Sequence, residues 1–469
     1  MFTVRDPLRP RTGSLPTARD RRGPARLAIA AGVAVAGIGT AGLVDGVEPF
    51  RTYFYAFVWW GWIALASGWT ALRNAPSLLI DRPRAFALVA WWSIPFWLFF
   101  EVLNVVLQNW YYVGAMPTRP ERLFGMAVCF ATVLPGVIAT AEWLSMLGLF
   151  RTARCRPWRV GPRFVRACLG LGVLFTVLPM VKPLWFYPLV WGATVLLGEA
   201  WLAHRGRRGL LSTLAAGNPR PALLLLAAGF ATGGLWESWN FHAGAKWIYT
   251  VPGFEELKLF EMPVLGFFGF PPFALECWSF CCLLVGTGLC PPIDGEWEPR
   301  PARPRRELLG ALVAGVVSLP MMWATDVWVV RETRPQVEDV PSIDALLASD
   351  LRGLGVHDAR DVLPLLEADG PNPLDDLGPT VRHAIRDELE LMRTAGLGRR
   401  GLTWLHAVGV RHPRELAELD WQAVIELSTS DAGASLRREH GPRPYGREVR
   451  YWIRAAAHRV ERGDFAATD

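Results

Sequence analysis

The chain has 469 residues, of which 51% are hydrophobic and 23 are Trp, and it carries a formal net charge of +6. That much apolar surface argues against a wholly water-soluble fold, and so many indole rings suit a membrane interface, where one edge is wet and the rest apolar. The basic excess lies in residues 1–330, with 30 Lys+Arg against 19 Asp+Glu, while 331–469 hold 19 against 24. It therefore reports membrane topology rather than nucleic-acid binding.

In chain order, apolar runs of spanning length, about 20 residues each, fall near 27–44, 52–72, 85–107, 124–150, 164–180, 184–203, 221–241, 263–289 and 308–330. The N-terminal tail 1–26 and the loops 73–84, 151–163, 204–220 and 290–307 contain 7, 3, 5, 4 and 4 Lys+Arg, against 1, 2, 1 and 2 in the alternate loops. Positive charge is retained in the cytoplasm. This predicts a multi-pass protein of a bacterial inner membrane, with a cytoplasmic N-terminus and a non-cytoplasmic C-terminal domain. Membrane lipid is its first partner.

The chain also matches itself. At an offset near 136, Glu101 and Asn104 pair with Glu237 and Asn240, and Leu123, Phe124, Met126, Val128 and Pro135 pair with Leu259, Phe260, Met262, Val264 and Pro271. FYAFVWWGW at 54–62 parallels FYPLVWGAT at 186–194. Generic hydrophobes would not keep Glu, Asn and Pro in step, so 27–150 and 164–289 read as two four-helix repeats. An even number of spans per half makes them parallel, with 308–330 as a ninth span. The expected fold is an all-α polytopic bundle followed by a soluble helical domain over 336–469.

Each half carries a Trp, a Glu and an Asn near the outer end of its third helix, WLFFEVLN at 97–104 and LWESWN at 235–240. Aromatic loops follow, then a helix with Pro and a further carboxylate, LPGVIATAEW at 134–143 and GFPPFALECW at 269–278. Carboxylates at membrane depth cost about 2.5–3.5 kcal/mol on insertion scales and face the bundle interior. Glu101, Asn104, Glu142, Glu237, Asn240 and Glu276 are thus the catalytic candidates. A low-dielectric site favours the proton-bearing form that a general acid requires. Trp97, Trp110, Tyr112, Trp236, Trp247 and Tyr249 are the substrate-binding candidates, with faces able to stabilise a cation. The competing reading makes Glu and Asn interhelical hydrogen-bond glue, the aromatics interface anchors and the prolines helix kinks. Seven Cys show no disulfide or metal spacing, and neither metal nor cofactor is expected.

The order of acidic residue and Asn, Trp-Tyr pair, Gly, then Pro with a nearby Glu resembles the small membrane-bound lycopene cyclases, carotenoid cyclases with tandem membrane halves. The resemblance places Glu101, Asn104, Trp110, Tyr112, Gly125, Pro135 and Glu142 in one half and Glu237, Asn240, Trp247, Tyr249, Pro272 and Glu276 in the other. It implies an isoprenoid ligand and cyclisation started by protonation. In that family the acidic residues follow the Pro directly, whereas Glu142 lies seven beyond Pro135 and Glu276 four beyond Pro272.

Beyond RETRP at 331–335, apolar residues recur at helical spacing among charges. This predicts short helices near 342–350, 358–368, 379–395, 401–408, 413–418, 421–428 and 446–461. The stretch 396–427 resembles a tandem helix-hairpin-helix module, whose hairpin contacts would be Gly396, Gly398, Arg399 and Arg400. The acidic balance of this region favours a protein partner over DNA.

Overall fold

The computed structural model describes residues 18–252, 257–295, 304–367, 373–440 and 444–463. Residues 1–17 of the expected basic tail, the 296–303 part of the last basic loop, 253–256 of an outer loop and residue 368 of an expected helix lie outside this set. Contacts divide the chain into two compact units. The first is Met1–Asn109, Leu123–Gly244 and Val251–Thr325, and the second is Trp110–Arg122, Ala245–Thr250 and Asp326–Asp469.

The first unit is mainly helical, with one short antiparallel pair between Lys258–Leu259 and Met262–Pro263. It contains α1 (Ala18–Val44), α2 (Phe54–Leu72), α3 (Leu78–Asp81), α4 (Pro83–Leu107), α5 (Arg119–Phe130, whose first turn belongs to the second unit) and α6 (Val133–Met146). The chain continues through α7 (Pro162–Val181), α8 (Pro183–Phe186), α9 (Val190–His204), α10 (Leu210–Ala215), α11 (Arg220–His242), α12 (Phe270–Thr287) and α13 (Pro304–Trp328, whose last three residues belong to the second unit). Among the described residues, seven helical stretches are long and apolar enough to cross a membrane: Asp20–Val44, Pro83–Leu107, Arg119–Met146, Pro162–Val181, Pro183–His204, Val264–Thr287 and Pro304–Trp328. That is the build of a multi-pass membrane protein. Leu169, Leu171, Val173 and Leu174 on α7, and Leu308, Leu312, Val316 and Leu319 on α13, are exposed, as side chains facing lipid would be.

Small residues bring these helices together. A Cβ on Gly32 of α1 would come within 2.6 Å of the Gly61 carbonyl oxygen on α2, so only glycine permits that backbone approach. Three prolines act differently from the kinks expected of them. Pro135 is the third residue of α6, and Pro271 and Pro272 open α12. In a helix's first turn the missing N–H has no intrahelical acceptor to lose, so they start helices rather than bend them.

The second unit contains β1 (Trp110–Val113) and β2 (Lys246–Tyr249), which pair antiparallel in the register Trp110↔Tyr249, Tyr111↔Ile248, Tyr112↔Trp247, Val113↔Lys246. The segment after α13 runs parallel beside β1, with the Tyr112 N–H donating to Val329 O and the Arg331 N–H to Tyr112 O, both at 2.9 Å. Asp326 fastens the following turn by accepting from Arg119 Nε at 2.9 Å and Arg122 Nε at 2.6 Å. Further along come α14 (Ala345–Gly353), α15 (Val362–Glu367), α16 (Pro379–Met392), α17 (Gly398–Ala407), α18 (Pro413–Ala417), α19 (Trp421–Thr429), α20 (Asp431–His440) and α21 (Gly446–Arg462). Their apolar faces close on one core that includes Leu351, Leu389, Trp404, Leu405 and Trp452. The described residues of the expected soluble region 336–469 thus group with two segments from between the membrane helices, and α20 is an additional helix.

Candidate functional site

The third long helix of each expected half carries the strongest candidates. Glu101 on α4 is fully buried and accepts from Trp97 Nε1, one turn earlier, at 2.7 Å. Glu237 on α11 is also fully buried, near enough to Tyr55 of α2 to interact electrostatically. Asn104 accepts from the Asn109 backbone N–H at 2.8 Å, just past the left-handed Gln108 that ends α4, so its side chain caps that helix end. Asn240 is fully buried two residues before the end of α11.

Aromatic side chains fill the space around these acids. Phe273 of α12 lies 5.7 Å from Trp97 and 5.7 Å from Trp236 by ring centroid, and also meets Phe96, Phe100 and Trp191. Trp59 of α2 packs 5.3 Å from Trp236 and 4.8 Å from Trp239, while Trp191 of α9 stacks 5.3 Å from Phe100. Trp97, Glu101 and Trp236 are therefore gathered in one aromatic cluster. Phe273, Trp59, Trp191 and Tyr55 belong to it too, and none of them lies in the Glu-Asn motifs.

The other two carboxylates are engaged with backbone. Glu142 of α6 accepts from the buried Leu78 N–H at 2.9 and 3.1 Å, capping a donor at the start of α3 that has no intrahelical acceptor. Glu276 of α12 accepts from the Thr194 N–H at 3.1 Å, three residues past Trp191, where φ −79° and ψ 21° interrupt the α9 ladder. Glu199 plays the same part for α10, accepting from the Leu211 N–H at 2.8 Å. A carboxylate fixed on a backbone donor satisfies a polar group that lipid or protein interior cannot hydrate.

Trp110, Tyr112, Trp247 and Tyr249 stand on the β1–β2 ribbon of the second unit, with Tyr112 and Trp247 edge to face at 6.5 Å. The hairpin residues are in the same unit. Gly396 and Gly398 have φ of +80° and +58°. A Cβ on Gly396 would come within 2.4 Å of Tyr111 Oη, and one on Gly398 would strike the Glu332 carboxyl group. Arg399 pairs with Asp339 at 3.0 Å and Arg400 with Glu448 at 2.6 Å. Burial pushes Glu332 up to about 8, offset in part by Arg360 and Arg400.

Among the described residues no group of three or more His, Cys, Asp or Glu is placed to hold a metal ion. Cys277, Cys281 and Cys282 are buried, free thiols on α12. No protein-family model, curated protein or solved structure matches the chain.

Proposed function

We propose that the membrane unit binds a long apolar isoprenoid-type molecule, and that Glu101 and Glu237 act on it as buried acids in the manner of the lycopene cyclases the sequence resembles. The observation that carries this reading is Phe273, which touches both Trp97, the indole holding Glu101, and Trp236, the neighbour of Glu237 in sequence. A neutral carboxyl can pass its proton to a terminal double bond of a polyene. Attack by the neighbouring double bond then closes a ring, and loss of a ring proton to a carboxylate restores neutrality. Faces of Trp and Phe beside the acid stabilise the intervening cation.

The reading includes nine spans in two parallel repeats, with the N-terminus cytoplasmic and the C-terminal domain outside. The 19 residues of α2 and 23 of α11 give about 28 and 34 Å at 1.5 Å per residue, close to the hydrocarbon thickness. The antiparallel register of β1 and β2 supports the repeat, since it places Trp110 opposite Tyr249 and Tyr112 opposite Trp247, the partners a twofold exchange would create. For the second unit, the engagement of Arg399 and Arg400 with Asp339 and Glu448 favours a structural or protein-interacting hairpin over a DNA contact.

A second reading, a non-enzymatic scaffold or carrier, draws support from Glu142, Glu276, Glu199 and Asn104, whose side chains all close backbone donors. One experiment separates the two. In a host that makes linear carotenoids, Glu101→Gln and Glu237→Gln abolish the protein-dependent product, while the variants reach the membrane at normal levels. Unchanged isoprenoid profiles, with a lowered thermal midpoint in detergent, would establish the scaffold instead.

A further inference from the structure

Buried arginines ordinarily face a carboxylate, because an uncompensated charge in a protein interior is costly. Arg21, 4% exposed, has Asp81 at 2.8 Å. Arg400, with a side chain 11% exposed, has Glu448 at 2.6 Å. Arg331, 6% exposed, departs from this pattern: its Nε, Nη1 and Nη2 are all buried, and none has a hydrogen-bond partner among the described residues. The Tyr445 ring covers one face of the guanidinium, 4.1 Å away, which leaves the N–H edges to be met.

Other donors in the second unit are in the same condition. Among the described residues, Tyr111, 1% exposed, has no acceptor for its O–H, and Arg400 Nε is buried and unpartnered beyond the ion pair that its Nη2 makes. Both residues, together with Glu448, are close enough to Arg331 to influence its titration. Burial lowers Arg331 to about 10, so it stays cationic at neutral pH. Two arginines and one glutamate leave one positive charge. Glu332 is directed elsewhere, its carboxyl lying against Gly398.

We propose that Arg331, Tyr111 Oη and Arg400 Nε form a binding site for one small monovalent inorganic anion of the chloride class. The sign follows from a buried cation whose three guanidinium nitrogens meet no acceptor among the described residues. The single charge follows from Glu448, which repels a dianion such as sulfate. The small size follows from the enclosure of all three guanidinium nitrogens and the phenol oxygen, which leaves no open face for an organic acid. The backbone already fixes both principal donors, through the Arg331 N–H to Tyr112 O bond and the β1–β2 register. The site is independent of any chemistry in the membrane unit.

The test is thermal unfolding of the full-length protein in detergent, at fixed ionic strength, with chloride replaced stepwise by gluconate. The midpoint should rise with chloride in the wild type, and Tyr111→Phe should need roughly tenfold more chloride for the same rise, the factor expected from losing one hydrogen bond to a charged partner. Arg331→Met should show no chloride dependence. Equal wild-type midpoints in chloride and gluconate overturn the proposal, as does a dependence that survives Arg331→Met. Should that variant fail to fold, line broadening of the chloride NMR signal decides: broadening by the wild type that weakens in Tyr111→Phe supports the site, and none by the wild type refutes it.

Discussion

Trp59 of α2 packs 5.3 Å from Trp236 of α11, and Trp191 of α9 packs at the same 5.3 Å from Phe100 of α4. In the two-repeat arrangement proposed above, the second helix of each half thus lays an indole against the third helix of the other. If this crossed pair holds the halves together, Trp59→Ala and Trp236→Ala are each destabilising by about 3–5 kcal/mol, with a coupling in the double variant of about 0.5–1.5 kcal/mol. Trp191→Ala with Phe100→Ala should show a coupling of the same sign. Double-mutant cycles on unfolding in detergent measure both, and additive effects at either pair would argue against the shared arrangement.

Glu142 and Glu101 should respond differently to substitution. Glu142→Ala leaves the buried Leu78 N–H without its acceptor and costs about 1–3 kcal/mol. Glu142→Gln keeps a carbonyl oxygen in place and costs less. Neither should alter an isoprenoid product beyond what reduced protein level explains, which chromatography of cell extracts normalised to membrane content checks.

Glu332 sets a pH dependence for the second unit. Its carboxyl is raised from about 4.5 to about 8 by burial, so between those values the folded state binds more protons than the unfolded chain. Stability from this group is therefore present below about pH 4.5 and is lost as pH rises through about 8. Glu332→Gln should unfold at a higher temperature than the wild type at pH 8.5, with the difference shrinking by pH 5. A constant difference across that range would mean that titration of Glu332 is not responsible.

Much of the membrane part was legible because spanning length and apolar content are local properties, and the ranges 85–107, 164–180 and 308–330 recur as α4, α7 and α13. The roles of Glu142 and Glu276 were not legible, since each depends on a backbone N–H supplied by a distant part of the chain, at Leu78 and Thr194. Pairing of WYYV with KWIY was hidden for the same reason, with more than 130 residues between the strands. Trp59 and Trp191 did carry a signal, as aligned positions in FYAFVWWGW and FYPLVWGAT. In a Trp-rich chain, interface anchoring looked like a sufficient reason for them. The helix α20 was obscured by DAGASLRREH, which has too few apolar residues to show a period.

The most direct test of the account is organic extraction of the purified full-length protein, followed by mass spectrometry and absorption spectroscopy of what is released. The account predicts a long isoprenoid or polyene at near-stoichiometric amount from the wild type and from Glu142→Gln, and little from Trp236→Ala that has kept its fold. Bulk membrane lipid alone from every sample, in a host rich in isoprenoids, would contradict it.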